Sequence, residues 1–139
     1  MEQIQNIQNQ IIEEFSMFDD WMSKYEYIID LGKNLEPLED KYKKEEFLIK
    51  GCQSRVWLVP QFDGQTIHFK ADSDAIITKG IISLLLRVFN NQKPENILQT
   101  NIFFIQEIGL SANLSPTRAN GLAAMLDKIK HYAEIFSKK

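Results

Sequence analysis

The sequence has little cysteine, histidine, glycine or proline, and these shortages exclude several classes of protein. Its 139 residues include one cysteine, two histidines, six glycines and four prolines. A single cysteine excludes an intramolecular disulfide, and with only His68 and His131 beside it the chain lacks the four ligands of a structural zinc site. No Pro/Gly/Ser-rich linker and no internal repeat divides the chain, so we expect one domain over residues 1–139.

Long apolar runs and a dominant charge are also missing. The apolar runs fall far short of the ~20 residues that a membrane span needs, and the polar start Met1–Asn6 lacks the basic and apolar regions of a secretory signal. With 16 basic and 19 acidic residues, mixed along the chain, the net charge is -3. This balance does not favour nucleic acid or an anionic membrane as a partner. We therefore expect a cytoplasmic protein.

Apolar spacing predicts helices at both ends of the chain. Ile4 to Phe18 form one stripe at intervals of three and four, and Asp19 or Asp20 is expected to cap a second helix that Gly32 ends. The polar stretch 33–46 is predicted to be a loop. Later in the chain, four more helices are predicted. The first is capped by Asp72 or Ser73 and runs to about Asn90, two short helices follow at 94–99 and 102–108 with Gly109 ending the latter, and Ser115-Pro116 opens the last helix.

The middle of the chain predicts a β-hairpin. Residues 55–60 are rich in β-branched and aromatic side chains, Asp63-Gly64 is a turn signal, and residues 66–71 alternate between apolar and polar. Ile67, Phe69 and Ala71 should face one side of this hairpin, with His68 exposed on the other. Because two strands alone are marginal, we expect a third strand near residues 46–49. The predicted class is α+β, a small antiparallel β-sheet packed against several helices.

Cys52 lies in the segment Lys50-Gly51-Cys52-Gln53-Ser54-Arg55, just before the first predicted strand. Gly51 permits a tight loop, and a thiol at its tip could reach another protein. The cations of Lys50 and Arg55 are expected to favour the thiolate, which is the nucleophile in thiol exchange. Free cysteine is also among the residues most often buried, so composition alone leaves a reactive thiol and inert core filling both open.

Two segments of the sequence resemble the SufE family of cysteine desulfuration proteins. They are Gly51-Cys52-Gln53-Ser54-Arg55-Val56-Trp57-Leu58, which is similar to that family's active-site segment, and Leu114-Ser115-Pro116-Thr117-Arg118-Ala119-Asn120-Gly121-Leu122, which is similar to the start of its last helix. Weaker similarity covers Leu31-Gly32-Lys33, Asp72-Ser73-Asp74-Ala75 and Lys79-Gly80. Many members carry a histidine where this chain has Asn113, which argues against a Cys–His pair.

The resemblance implies a fold like that of SufE and the IscU-type scaffolds, and a function in sulfur transfer. A pyridoxal-phosphate cysteine desulfurase, SufS-like or CsdA-like, would hold sulfur as a persulfide that Cys52 attacks; Cys52 would then carry the sulfur to an iron–sulfur scaffold complex. Docking would stimulate the desulfurase. The chain itself would need no cofactor or metal, because the pyridoxal phosphate belongs to the partner. This makes it an accessory protein rather than an independent enzyme.

The resemblance also implies roles for residues near the cysteine. Arg118 is expected to lie near Cys52 or the docked partner and to steady anionic sulfur, because a cation in the first turn of a helix opposes the helix dipole and has no local reason to be there. Asp74 is expected to be a capping or first-turn residue of the helix after the hairpin, and the loop around it could contact the partner. The remaining candidates are Gly51, Gln53, Ser54 and Arg55 in the cysteine segment, and Asn120 with Gly121, which are expected to pack near it.

Two other functional classes stay open at this stage. A cysteine-dependent enzyme would need a base beside Cys52, and neither His68 nor His131 lies in a recognisable motif. A binding module with a buried, inert Cys52 would react slowly with thiol reagents and would tolerate Cys52→Ala.

Overall fold

The computed structural model describes residues 3–139, so Met1 and Glu2 of the expected polar start lie outside the described residues. Within this range the chain forms helices, then a hairpin, then helices again, which confirms the predicted α+β class. The elements, in chain order, are α1 (Ile4–Phe15), α2 (Trp21–Lys33), β1 (Val56–Phe62), β2 (Ile67–Ser73), α3 (Ile76–Phe89), α4 (Pro94–Gln99), α5 (Phe104–Glu107), α6 (Leu110–Asn113) and α7 (Pro116–Ser137).

The two strands pair antiparallel, in a register that runs from Val56 opposite Ser73 to Phe62 opposite Ile67. The predicted turn is confirmed, because the Asp63 side chain accepts hydrogen bonds from the backbone N–H groups of the two residues before β2, each at 2.8 Å. The predicted third strand is wrong. Residues 45–47 form a 3-10 turn instead, which leaves room for one bridge between Leu48 and Trp57.

The sheet is covered on both faces. Ile67, Phe69 and Ala71 are buried in the main core with the helices, as predicted from their alternation. On the other face Trp57 and Val59 pack with Leu38 in a smaller cluster, to which the segment 42–48 adds further apolar side chains. The polar stretch after α2 therefore acts as a cover for the hairpin, and it leads directly into the cysteine segment.

Helices α2 and α3 cross at two glycines. A Cβ atom built on Gly32 would lie 2.7 Å from the backbone nitrogen of Gly80, and one on Gly80 would lie 2.6 Å from Ile28 Cγ2 and closer still to the Ile28 carbonyl oxygen. Neither position admits a side chain without moving a backbone. The expectation that Gly32 ends α2 is therefore wrong: α2 continues to Lys33, and Gly32 is buried at the crossing.

Two of the predicted helix caps are confirmed, and one is not. Asp20 caps α2 by accepting from Ser23 N at 2.7 Å, and Ser115 caps α7 by accepting from the Arg118 backbone N–H at 3.3 Å. The exception is α3. Asp72 and Ser73 are the last residues of β2, and α3 starts after Ala75 without a side-chain cap.

Asp72 has a different role at the end of β2. It is buried, and its carboxylate lies 3.4 Å from Lys43 Nζ and 3.3 Å from Lys79 Nζ. The carboxylate also accepts from the Ser73 backbone N–H at 2.8 Å. The ion pairs join β2, α3 and the cover segment beside the cysteine.

A buried glutamine joins α1 to the start of α5. Gln8 is fully buried, and its Oε1 accepts from the backbone N–H groups of Phe103 at 2.8 Å and Phe104 at 3.2 Å. Its Nε2 donates to the Asn101 carbonyl at 3.1 Å. This one side chain satisfies two N–H groups that the start of a helix leaves without intrahelical partners. Among residues 3–139 no helix is long and apolar enough to cross a membrane.

Candidate functional site: a cysteine loop over a small cavity

Residues 50–55 form a short loop that is held at both ends. At its start Ile49 N donates to the Val56 carbonyl at 2.8 Å. At its end Arg55 N donates to Asp74 Oδ1 at 2.9 Å, and Asp74 N donates back to the Arg55 carbonyl at 3.2 Å. Asp74 is therefore a clamp on the loop and not the helix cap that the sequence suggested. Within the loop, Gly51 adopts a φ of +97°, which favours glycine.

The thiol of Cys52 lies against the first turns of α7. Cys52 Sγ is 3.5 Å from the Gly121 carbonyl oxygen, and a Cβ built on Gly121 would touch that sulfur at 3.5 Å. A Cβ at Gly121 would thus lie at ordinary contact distance, and the loop rests directly against the helix. The loop also approaches α7 closely at Gly51, where an added Cβ would lie 3.3 Å from the Ala124 Cβ.

The thiol lines a cavity of about 190 Å³. Its walls come from the cysteine loop, from α3 and from the start of α7. The loop contributes Cys52, Gln53 and Ser54, and Arg118 and Gly121 come from α7. Cys52 is half-buried, so the sulfur belongs to this cavity as much as to the surface.

Burial raises the pKa of the Cys52 thiol above its ordinary value. The expectation that Lys50 and Arg55 would favour the thiolate is therefore wrong for this resting arrangement. Both residues are exposed, and neither lines the thiol's cavity. Arg55 acts through its backbone, which is paired with Asp74, and Lys50 lines a separate groove beside α7. In this state Cys52 is a protected thiol rather than an activated thiolate.

Arg118 is placed at the edge of the same cavity. It is exposed, it follows the Ser115 cap, and its Nη1 donates to Tyr25 Oη on α2 at 3.3 Å. Among the described residues that line the cavity, Arg118 is the one with a charged side chain. The sequence did not indicate this contact with Tyr25, because α2 and α7 are far apart in the chain.

The remaining candidates do not line the thiol's cavity. Asn120 is exposed and does not line the cavity, so the expectation that it packs near the cysteine loop is not met. Asn113 donates to the Gly109 carbonyl at 2.7 Å and completes the turn of α6. His68 Nδ1 lies 3.2 Å from Asn91 Oδ1, and His131 lines the separate groove with Lys50. No histidine of the described residues therefore lines the thiol's cavity.

The rest of the cavity wall was missed by sequence reasoning. It includes Ile77, Thr78 and Ile81 from α3 and Met125 from α7. The three apolar residues look like ordinary core positions in the sequence, and their place beside the thiol depends on how α3 and α7 pack. Thr78 did carry a signal, because it is a hydroxyl among the isoleucines that open α3.

These residues suit a cysteine that receives a small group, and they offer no metal site. Within residues 3–139 no three His, Cys, Asp or Glu side chains come together as possible metal ligands. The cavity exceeds the size of a single sulfur atom many times over, while its thiol sits at a loop that a partner protein can approach. A general base is not among the lining residues.

Comparison with known proteins identifies related chains over almost the whole length. The family model described as "SufE: Fe-S metabolism associated domain" matches residues 9–133. An uncharacterized SufE-like protein of Rhizobium meliloti (strain 1021) is 37% identical over 131 residues, covering 91% of this chain and 94% of that one. A second from Rhizobium etli is 36% identical over 132 residues, with coverage of 91% and 89%. A solution structure of a hypothetical protein from Thermus thermophilus has the same fold, with a TM-score of 0.77 at 18% identity over 96% of this chain and 97% of that one.

Proposed function

The chain belongs to the SufE family, which is associated with iron–sulfur metabolism, and from this membership and the cysteine site we propose that it is a persulfide carrier. Cys52 accepts sulfane sulfur from a pyridoxal-phosphate cysteine desulfurase and delivers it to an iron–sulfur scaffold complex. The observation that carries the proposal is the position of the single cysteine, at the tip of a clamped loop over a cavity with room for an added sulfur.

The transfer step is a thiol exchange. Cys52 loses its proton, and its thiolate attacks the outer sulfur of the desulfurase persulfide. One S–S bond forms at Cys52 as the S–S bond of the donor breaks, and the donor cysteine leaves as a thiolate. The sulfur then remains on Cys52 as Cys52–S–SH until a second thiol attacks it. The carbon–sulfur cleavage that created it belongs to the desulfurase and its cofactor.

The raised pKa of Cys52 gives docking a defined role in this step. Burial keeps the thiol protonated in the resting protein, which protects it from oxidants that consume exposed thiolates. A docked desulfurase has to bring Cys52 into a setting that favours the thiolate. Arg118, exposed at the edge of the cavity, is placed to stabilise negative charge on sulfur as that happens.

The loop residues support the thiol without reacting themselves. Gly51 provides the left-handed backbone, Ser54 bonds to α3, and the backbone of Arg55 is clamped by Asp74. Gln53, exposed beside the thiol, is available to the partner. Asn120 is exposed one residue before Gly121, so any contribution from it would be a contact with the docked protein.

The test is desulfurase turnover with matched variants of this chain. We expect a cysteine desulfurase supplied with free cysteine to release sulfide faster with the wild type and not with Cys52→Ser. Mass spectrometry of the wild type should show one added sulfur atom, removable by reductant, on Cys52. Arg118→Ala should reduce stimulation, while Arg118→Lys should retain more of it because the charge is kept.

Three results would contradict the proposal. The absence of stimulation and of added sulfur with several desulfurases would remove the carrier function. Turnover of a small substrate by the isolated chain would favour a cysteine-dependent enzyme. Full stimulation by Cys52→Ser would favour a binding module in which the thiol is inert.

A further inference from the structure

A buried hydroxyl pair lies beside the thiol. Thr78 on α3 is only 8% exposed, and Ser54 of the cysteine loop lies against it with 3.2 Å between the two hydroxyl oxygens. Both residues line the cavity that Cys52 lines. Ile77 and Ile81, the neighbours of Thr78 in the cavity wall, are apolar. The two hydroxyls are therefore polar groups in a part of the wall that is otherwise apolar.

The hydrogen atoms of this pair do not all have partners. Each hydroxyl has one proton and two lone pairs, and either one can donate to the other. Whichever way the bond runs, one proton is left over. Among residues 3–139 neither hydroxyl makes another hydrogen bond as a donor. The pair therefore presents one O–H to a group that enters the cavity.

The group that would need such a donor is an anionic sulfur. A persulfide is a stronger acid than its parent thiol, so a Cys52 persulfide is the more anionic of the two at neutral pH. An anion against the largely apolar wall that α3 contributes is costly unless a donor reaches it. The Gly121 carbonyl at 3.5 Å from Cys52 Sγ accepts from a neutral S–H and offers nothing to an anion.

We propose that Thr78, paired with Ser54, binds the outer sulfur of the Cys52 persulfide by donating its hydroxyl proton to it. The inference rests on the proposed function and deepens it by giving the neutral thiol and the persulfide different hydrogen-bonding groups within the cavity. The thiol faces the Gly121 carbonyl on α7, and the outer sulfur faces the hydroxyl pair on α3. Thr78 is thereby a binding residue for the cargo.

The experiment uses inorganic polysulfide to load the protein, so it needs no desulfurase. Wild type, Thr78→Val and Thr78→Ser are loaded, freed of excess reagent, and alkylated with iodoacetamide across a pH series, with mass spectrometry separating thiol from persulfide products. Arg118 is the charged residue in the described lining and is common to all variants. Thr78→Val keeps the shape of the side chain and removes only the hydroxyl.

We expect Thr78→Val to raise the apparent pKa of the persulfide by about half to one unit, which is roughly a three- to tenfold loss of the anion below that pKa. Thr78→Ser should restore it, and the pKa of the unmodified Cys52 thiol should stay unchanged in all variants. Thr78→Ala, which cannot clash, gives the same reading if the valine variant fails to fold.

Two outcomes would overturn the inference. One is an unchanged persulfide pKa in Thr78→Val or Thr78→Ala, or an equal shift of thiol and persulfide, which a purely structural role would produce. The other is a wild-type chain that polysulfide does not load. Failure of the carrier function is read separately, from the desulfurase assay, because a chain can show the Thr78 effect and still fail to stimulate a desulfurase.

Discussion

The crossing of α2 and α3 predicts that Gly80→Ala is severely destabilising although alanine is the better helix former. An added Cβ would lie 2.6 Å from Ile28 Cγ2 and 2.8 Å from the Ile28 carbonyl carbon, whereas ordinary contact begins at 3.4 Å. The backbone of α2 must therefore move by at least 0.6 Å, the difference between 3.4 and 2.8 Å. Backbone atoms cannot swing aside as the end of a side chain can.

The magnitude follows from two opposing effects. Replacing glycine by alanine inside a helix stabilises by about 1 kcal/mol, and overpacking a tight interior costs about 1–3 kcal/mol, with more when backbones must separate. Because here it is backbone that must separate, we expect a cost of about 3–5 kcal/mol, above that usual range, and so a net loss of about 2–4 kcal/mol. For a chain of this size that lowers Tm by roughly 10 °C.

The assay is urea unfolding followed by circular dichroism, and the chain supplies its own control. Gly121→Ala is also a glycine-to-alanine change inside a helix, but its Cβ would meet Cys52 Sγ at an ordinary 3.5 Å. That variant should be equal to the wild type or more stable by up to about 1 kcal/mol. Equal unfolding midpoints for Gly80→Ala and Gly121→Ala would refute the close crossing.

Three further predictions concern buried polar groups and pH. Gln8→Leu should lower the free energy of unfolding by about 2–4 kcal/mol, because the buried N–H group of Phe104 and the part-buried N–H group of Phe103 lose their acceptor. An unchanged urea midpoint would contradict this. Alkylation of Cys52 should have its midpoint at higher pH in the native chain than in urea, because burial raises the pKa of the thiol; coincident midpoints would show that the thiol is not buried. For Asp72, burial opposes ionisation, but hydrogen bonds from Ser73 and Lys79 hold its pKa below the ordinary value. The stabilisation by ionised Asp72 is present above the unfolded-state pKa of about 3.9 and is lost as pH falls through the lower folded-state pKa. In Asp72→Asn the free energy of unfolding should therefore fall less steeply as the pH is lowered into the acid range. An identical acid-range dependence in the variant and the wild type would contradict this prediction.

The elements that sequence reasoning predicted correctly are those with local causes. Asp20 and Ser115 cap the helices they precede, and Asp63 with Gly64 closes the hairpin, because each of these signals acts within about three residues of itself. The face of β2 that packs on the core was predicted correctly for the same reason, because apolar and polar residues alternate along the strand. A feature determined by neighbours in the chain can be read from the chain.

The features that were predicted wrongly depend on partners distant in sequence. Gly32 looks like a helix stop until Gly80, on another helix, shows why no side chain fits there. The acidity of Cys52 looked cation-controlled from its sequence neighbours, but it is determined by burial against Gly121, 69 residues away. Asp74 looked like a cap or first-turn residue and is a clamp, because the antiparallel hairpin brings the residue after β2 beside Arg55, the residue before β1.

The family resemblance identified the parts of the cavity that come from the cysteine loop and from the start of α7, but it did not identify the part that comes from α3. Ile77 and Ile81 of α3 look like ordinary core positions in the sequence, and the place of the Thr78 hydroxyl beside the thiol emerges only when α3 is packed against the loop. The same holds for Tyr25, whose hydroxyl meets Arg118 across 93 positions of sequence. A sequence motif can therefore identify the cysteine segment, but the residues that surround the cysteine depend on how the helices pack.

The two anchors of the cysteine loop limit how far its sulfur can travel. Only residues 50–55 lie between the Ile49–Val56 bond and the Arg55–Asp74 clamp. Cys52 is three residues from Ile49, so even a fully extended chain carries it roughly 10 Å from that anchor. An arm this short cannot swing between two distant docking faces. Under the proposed function, the protein that supplies sulfur to Cys52 and the protein that removes it would use the same patch of surface, and so would bind one after the other.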